Sequence, residues 1–288
     1  MKKNLLLLFT FCTINLTFGQ YYVSSSIGQA IGSAEVKFGE VITVSESESS
    51  YGSYGEGTNF QIRTGYFFND TFGVDFGFGY LHGADQTIQK VSFPSRELNA
   101  IARARAFGFT PSVVYKFTNK IYGRFGALIK LGGKTEAVIY DKNYIADEAS
   151  STTISQAFGL PAGAFTETNY IEDYHGKLPL GFVGAFGFKH QMKNNLSLFL
   201  EAEYMGVSVK RKDSEIKKFN TDVVLASGTV AVSGLYSLDN LPPGYVKNSI
   251  YVDKLSNTNT DPSKKLAERV PYSSFGINFG ITYTFSKK

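Results

Sequence analysis

The sequence predicts an all-β protein: an eight-stranded antiparallel up-and-down transmembrane β-barrel with long extracellular loops. Three observations predict it. Eight stretches of about 11 residues, the length a tilted strand needs to cross a bilayer, alternate apolar with small or polar side chains. The connections between them run long, short, long, short, long, short, long. After residue 19 no apolar run is long enough for a spanning helix, so in lipid this chain would have to close its backbone hydrogen bonds as a barrel.

The chain opens with MKKNLLLLFTFCTINLTFG. Lys2 and Lys3 precede an apolar run at Leu5–Phe18, and Thr17 and Gly19 are the small residues that cleavage prefers. Residues 1–19 therefore read as a secretory signal peptide cut near Gly19–Gln20, and residues 20–288 as the barrel. Cys12, the single cysteine, leaves with it, which excludes disulfides, thiolate metal sites and a cysteine nucleophile in the mature chain. Lys2 and Lys3 leave too, so the 29 Lys and Arg fall by two against 25 Asp and Glu. A balance so near neutral gives no footprint for nucleic acid.

The first expected strand, Tyr21–Ile31, sets Tyr21, Val23, Ile27 and Ile31 against Ser24, Ser26, Gly28 and Ala30. Residues 32–57, ending in SESESSYGSYGEG, read as a solvated loop. Thr58–Phe68 alternates Phe60, Ile62, Tyr66 and Phe68 with Gln61, Arg63 and Gly65, and Asn69-Asp70 supplies a tight turn. Phe72–His82 alternates Phe72, Val74, Phe76, Phe78 and Tyr80 with Gly73, Asp75, Gly77 and Gly79. A second long loop, 83–103, precedes Ala104–Phe117, in which Phe107, Phe109, Val113, Tyr115 and Phe117 face outward and Ser112 and Lys116 inward. After Thr118–Lys120 comes Ile121–Leu131, with Phe125, Ala127, Ile129 and Leu131 opposite Tyr122, Arg124, Gly126 and Lys130. Loop 132–176 leads to Lys177–Lys189, and a turn at His190–Asn195 leads to Leu196–Lys210. There Leu196, Leu198, Leu200, Ala202 and Tyr204 oppose Ser197, Glu201 and Glu203, with Phe199 breaking the pattern. Loop 211–271 precedes the last strand, Tyr272–Phe285, whose Phe275, Ile277, Phe279, Ile281, Tyr283 and Phe285 fall on every second residue.

The signal peptide, the eight alternating strands and the aromatic-ended ITYTF resemble the small outer-membrane β-barrels of Gram-negative bacteria, of the OmpA/OmpX type. The resemblance implies an outer-membrane location. It also implies that Tyr283 and Phe285 act as the insertion signal read by the barrel-insertion machinery, although three residues follow Phe285 where the family usually ends in Phe. No peptidoglycan-binding domain is expected.

The inward face carries Arg63, Asp75, Lys116, Arg124, Lys130, Glu201 and Glu203. Charges in a lumen that excludes bulk water must pair, so these seven are expected to form a structural polar network; a narrow channel for small solutes is the alternative. Arg103 and Arg105 share the parity of Phe107 and would point outward just above the membrane, placed to meet lipopolysaccharide phosphates. His82 lies at the outer rim on the lipid-facing side. A lipid-modifying enzyme would need a serine and an acid beside it, and no such spacing is evident. No metal-ligand pair, phosphate loop or nucleophile elbow appears, so neither catalysis nor a cofactor is expected. The loops, more than half of the mature chain, are where such a scaffold carries function. The expected partners are outer-membrane lipids and lipopolysaccharide, a surface glycan, or an extracellular or outer-membrane protein. The simplest form for segment 211–271 is a set of strand extensions that carry the wall outward.

Overall fold

Alternating sequences of this kind leave the backbone one way to satisfy its N–H and C=O groups, by pairing strand to strand. The computed structural model describes residues 20–33, 36–146 and 153–285. The expected signal peptide and Ser286–Lys288 lie outside the described residues. Seventeen strands follow in order: β1 (Gln20–Gly32), β2 (Lys37–Thr43), β3 (Ser47–Tyr51), β4 (Gly57–Phe67), β5 (Phe72–Gly83), β6 (Gln86–Phe93), β7 (Arg96–Lys116), β8 (Ile121–Ala146), β9 (Ala164–Gly176), β10 (Leu180–Gln191), β11 (Leu196–Gly206), β12 (Ser208–Val224), β13 (Val230–Ser237), β14 (Asn248–Val252), β15 (Lys264–Leu266), β16 (Arg269–Pro271) and β17 (Ser274–Thr284). Among the described residues one short helix, α1 (Thr153–Phe158), lies between β8 and β9.

Eight of the strands close a ring. Each pairs antiparallel with the next in the circuit β1–β4–β5–β7–β8–β10–β11–β17, and β17 returns to β1. Ile27 stands opposite Phe60 on one side and Phe279 on the other. Along β17 the alternation is complete: Ser274, Gly276, Asn278, Gly280 and Thr282 are buried, while Phe275, Ile277, Phe279, Ile281 and Tyr283 are exposed. The exposed set continues round the ring through Ile62, Phe78, Val113, Phe125, Phe186 and Leu200. The interior takes the small and polar residues, as a ring this narrow demands.

Beyond the ring, the segments expected as long connections are mostly sheet. Segment 83–103 forms β6 and the first turn of wall in β7; 132–176 is the outer half of β8 followed by β9; and 211–271 contains most of β12 together with β13 to β16. Ring strands β7 and β8 run on without a break, and the added sheet continues from β8 to β9 and from β9 to β12. Segment 32–57 is not a solvated loop. β2 pairs with β3 and lies parallel to β6, and Tyr54 is almost completely buried. Its Ser/Glu composition hid the partner strand, which is remote in sequence.

Two irregularities shape the wall. In β8 the register shifts between Phe107↔Gly132 and Gly108↔Lys130, a bulge that leaves Leu131 over. Gly133 takes φ 98°, a left-handed conformation costly for other residues. The bulge exchanges the faces of β8, so the inward set is Arg124, Leu128 and Lys130 below it and Thr135, Ala137 and Ile139 above. The ladder is also interrupted beside it. β8 pairs with β10 as far as Ile129↔Leu180 and with β9 from Thr135↔Tyr174, and Pro179, which has no N–H to donate, falls in the gap.

Above the ring the interior becomes apolar. Alternate inward positions of β7 give Leu98, Ala100, Ala102, Ala104 and Ala106, and these pack with Tyr54, Val91, Ala137, Ile139, Val209 and Tyr272 in one cluster. The run of alanines lets the wall close tightly on the two tyrosines, whose rings lie 5.4 Å apart.

Candidate functional site in the lumen

Inside the ring, period-two geometry aims β4, β5, β8 and β11 side chains at a common axis. Arg63, Arg124, Glu201 and Glu203 meet there. Arg63 Nη1 donates to both Glu201 oxygens at 2.8 and 3.0 Å, and Arg124 Nη2 donates to Glu201 Oε1 at 2.9 Å and to Glu203. Glu201 has no solvent exposure and Arg63 only 4%. Gln61 and Asn278 donate to Glu203 Oε1 at 2.8 and 3.2 Å. The four charges cancel in pairs, and their hydrogen bonds replace the water they lose, which is the condition for burying ions at all.

One tyrosine joins the network and a second pairs with Asp75 beside it. Tyr122 donates to Glu201 Oε2 at 2.8 Å, and Tyr22 donates to Asp75 Oδ2 at 3.1 Å. Each ring needs a glycine on the strand it lies against: a Cβ at Gly65 would come within 2.3 Å of Tyr22, and one at Gly187 within 2.2 Å of Tyr122. Phe199, which interrupts the β11 alternation, is buried with Arg63 stacked 5.0 Å from its ring centre. It is an inward residue that packs against the network, on the same parity as Ser197, Glu201 and Glu203 and apolar where they are polar.

The structure therefore unites Arg63, Arg124, Glu201 and Glu203 directly, while Asp75 is hydrogen-bonded to Tyr22 beside them. The two lysines of the expected network lie at other levels along the axis. Lys116 Nζ lies 3.6 Å over the Phe67 ring, near the short turns, because its position on β7 falls below the carboxylates. Lys130 lies above them, 5.3 Å from the Tyr272 ring centre. A space of about 50 Å³ below the network is lined in part by Tyr22, Asp75, Lys116 and Lys189. Above it a larger one, about 80 Å³ and mostly apolar, is bounded by Asn59, Leu81, Ala106, Leu128, Lys130, Glu203, Val207 and Tyr272.

Outside the wall, Arg103 and Arg105 project just above Phe107 on the outward parity. Arg103 donates to Glu136 at 2.9 and 2.8 Å and to Asp85 at 3.5 Å; Lys134 bridges Glu136 and Asp173. Burial pushes the Glu136 carboxyl up, but the hydrogen bonds from Lys134 and Arg103 outweigh it and hold the group below the usual range. Arg105 Nη1 donates to the carbonyls of Gly83 and Ala104 at 2.9 and 2.8 Å. Of the histidines, His82 is exposed with its ring 6.5 Å from Tyr80, His175 Nδ1 pairs with Asp213 at 2.7 Å, and His190 is exposed. Among the described residues, no group of three or more His, Cys, Asp or Glu could hold a metal ion. Tyr283 and Phe285 face outward at the end of β17 with their rings edge to face at 5.2 Å.

No family model and no curated protein matches the chain. Among solved structures it is similar to the crystal structure of the outer membrane protein OprG from Pseudomonas aeruginosa, at 11% identity and TM-score 0.38, covering 93% of this chain and 97% of that one. It is also similar to the solid-state NMR structure of outer membrane protein AlkL in DMPC bilayers, at 12% identity and TM-score 0.32, with 94% and 92% covered. A crystal structure of a Pseudomonas aeruginosa FadL homologue matches at 10% identity and TM-score 0.23, with 94% and 89% covered. Likeness this low transfers no function.

Proposed function

We propose that the chain is an eight-stranded barrel of the bacterial outer membrane that binds rather than conducts. The carrying observation is the network of Arg63, Arg124, Glu201 and Glu203. It crosses the lumen with no solvent exposure at Glu201, and the apolar core around Tyr54 and Tyr272 closes the interior beyond the small space that lies above it. A solute moving along the axis would have to break ion pairs and then repack a core.

Membrane residence rests on the belt. Apolar side chains such as Ile62, Phe125 and Ile277 are more than half exposed on different sides of the ring, and a soluble monomer does not tolerate an apolar surface of that extent. The turns at 69–71, 118–120 and 192–195 leave from the end of the ring at which the chain does not extend, which fits the periplasmic side of the OmpA/OmpX plan. The β-rich extension then stands outside the cell, where a partner protein, glycan or lipopolysaccharide would be met. Arg103 and Arg105, at the upper edge of the belt, are placed for lipopolysaccharide phosphates. No catalytic role is assigned.

Planar-bilayer recording of the purified wild-type protein tests the closed lumen. The expected trace is silent at the protein density that gives steps for a known porin. Reproducible discrete conductance steps would refute the reading.

A further inference from the structure

The space above the salt-bridge network is unlike the rest of the interior. Its walls are mainly apolar, from Leu81, Ala106, Leu128, Val207 and Tyr272, yet two polar groups without partners border it. Asn59 is 96% buried, and neither its Nδ2 nor its Oδ1 has a hydrogen bond. A buried amide left in this state costs free energy unless something occupies the site. Lys130 is half-buried, and among the described residues its ammonium has no carboxylate and no hydrogen-bond partner; it lies 5.3 Å from the centre of the Tyr272 ring. The one carboxylate on the lining, Glu203, is already engaged by Arg124, Gln61 and Asn278 and offers Lys130 no compensation.

We infer that this space is a binding site for a small amphiphilic carboxylate, with the apolar body against Leu81, Leu128 and Tyr272 and the anionic head between the Lys130 ammonium and the Asn59 amide. The volume of about 80 Å³ holds on the order of five to eight water-sized atoms, which sets the size at a short alkyl chain with its carboxylate. A neutral apolar molecule would leave both polar groups unanswered, and a bare anion such as phosphate would leave the apolar wall unfilled. The inference rests on the closed-lumen reading, because a conducting axis would flood the site with water.

The test is ¹⁹F NMR titration of the full mature chain in lipid nanodiscs with three probes: 4-fluorobutyrate, its neutral counterpart 4-fluorobutanol, and inorganic phosphate as a competitor. The wild type is expected to bind the acid at least about tenfold more tightly than the alcohol, with no displacement by phosphate. Lys130→Gln should abolish that preference, and Lys130→Arg should keep it. Leu128→Trp, which fills the space, should abolish binding of both probes even if Lys130→Gln fails to fold. Equal affinities in the wild type, no binding of the acid, a preference that survives Lys130→Gln, or binding that survives Leu128→Trp would each overturn the site. None of these results would alter the conductance trace, which tests the closed-lumen reading separately.

Discussion

Replacing Glu201 with Gln probes the group on which the lumen network converges. Glu201 accepts four hydrogen bonds, two from Arg63, one from Arg124 and one from Tyr122, and it is the shared counter-ion of both guanidinium groups. The amide introduced by Glu201→Gln keeps one acceptor oxygen, turns a second acceptor into a donor facing other donors, and removes the charge. Breaking a buried ion pair from one side costs about 3–5 kcal/mol, mostly because the remaining charge is stranded. Arg124 keeps Glu203 as a partner, so the loss is expected near the lower end, about 3 kcal/mol. Arg63→Gln combined with Glu201→Gln removes one charge of each sign and leaves Arg124 with Glu203. The double variant should therefore be less destabilised than the sum of the single variants by at least about 1 kcal/mol, as coupled neighbours are. Urea unfolding in lipid vesicles, followed by tryptophan-free far-UV circular dichroism, measures all four proteins. A loss below about 1 kcal/mol for Glu201→Gln, or strict additivity in the cycle, would show that the network does not close the lumen as drawn.

The lipid face gives a second measurement. Ile277→Arg should cost about 2–4 kcal/mol if its position is near the bilayer midplane, read in the same unfolding assay; a cost near zero would refute its lipid exposure. The alternating pattern alone suggests that a charge at the neighbouring Asn278 would be milder. Asn278 proves fully buried, with its amide donating to Glu203, so Asn278→Arg is expected to be at least as damaging, and a milder effect would count against the packed interior. Orientation can be read by trypsin treatment of intact cells. Cleavage is expected at the exposed Lys254 between β14 and β15 and not at Lys193 in the short turn between β10 and β11; mass spectrometry finding the reverse would invert the topology.

How much of this was legible in the residues follows from what each feature depends on. The outward face of β17 could be read directly, because its period needs no partner: whatever surrounds the barrel meets every second side chain. The charges Arg63, Arg124, Glu201 and Glu203 could be placed inside for the same reason. Their geometry could not, since it depends on register between strands far apart in sequence. Tyr22 shows why. Its parity puts it inside, but an aromatic fits there only because Gly65 lies across the ladder from it, and the pairing of residue 22 with residue 65 is written in neither segment. Lys130 is the complementary case. Parity correctly turned it inward and charge suggested that it would join the network, but parity gives no height along the axis. Height is set by strand stagger, which places Lys130 opposite Gly108, just below the Leu131 bulge and above the carboxylates. A lysine that inherits the network's parity but not its level must find its counter-charge elsewhere, and the described chain supplies none beside it.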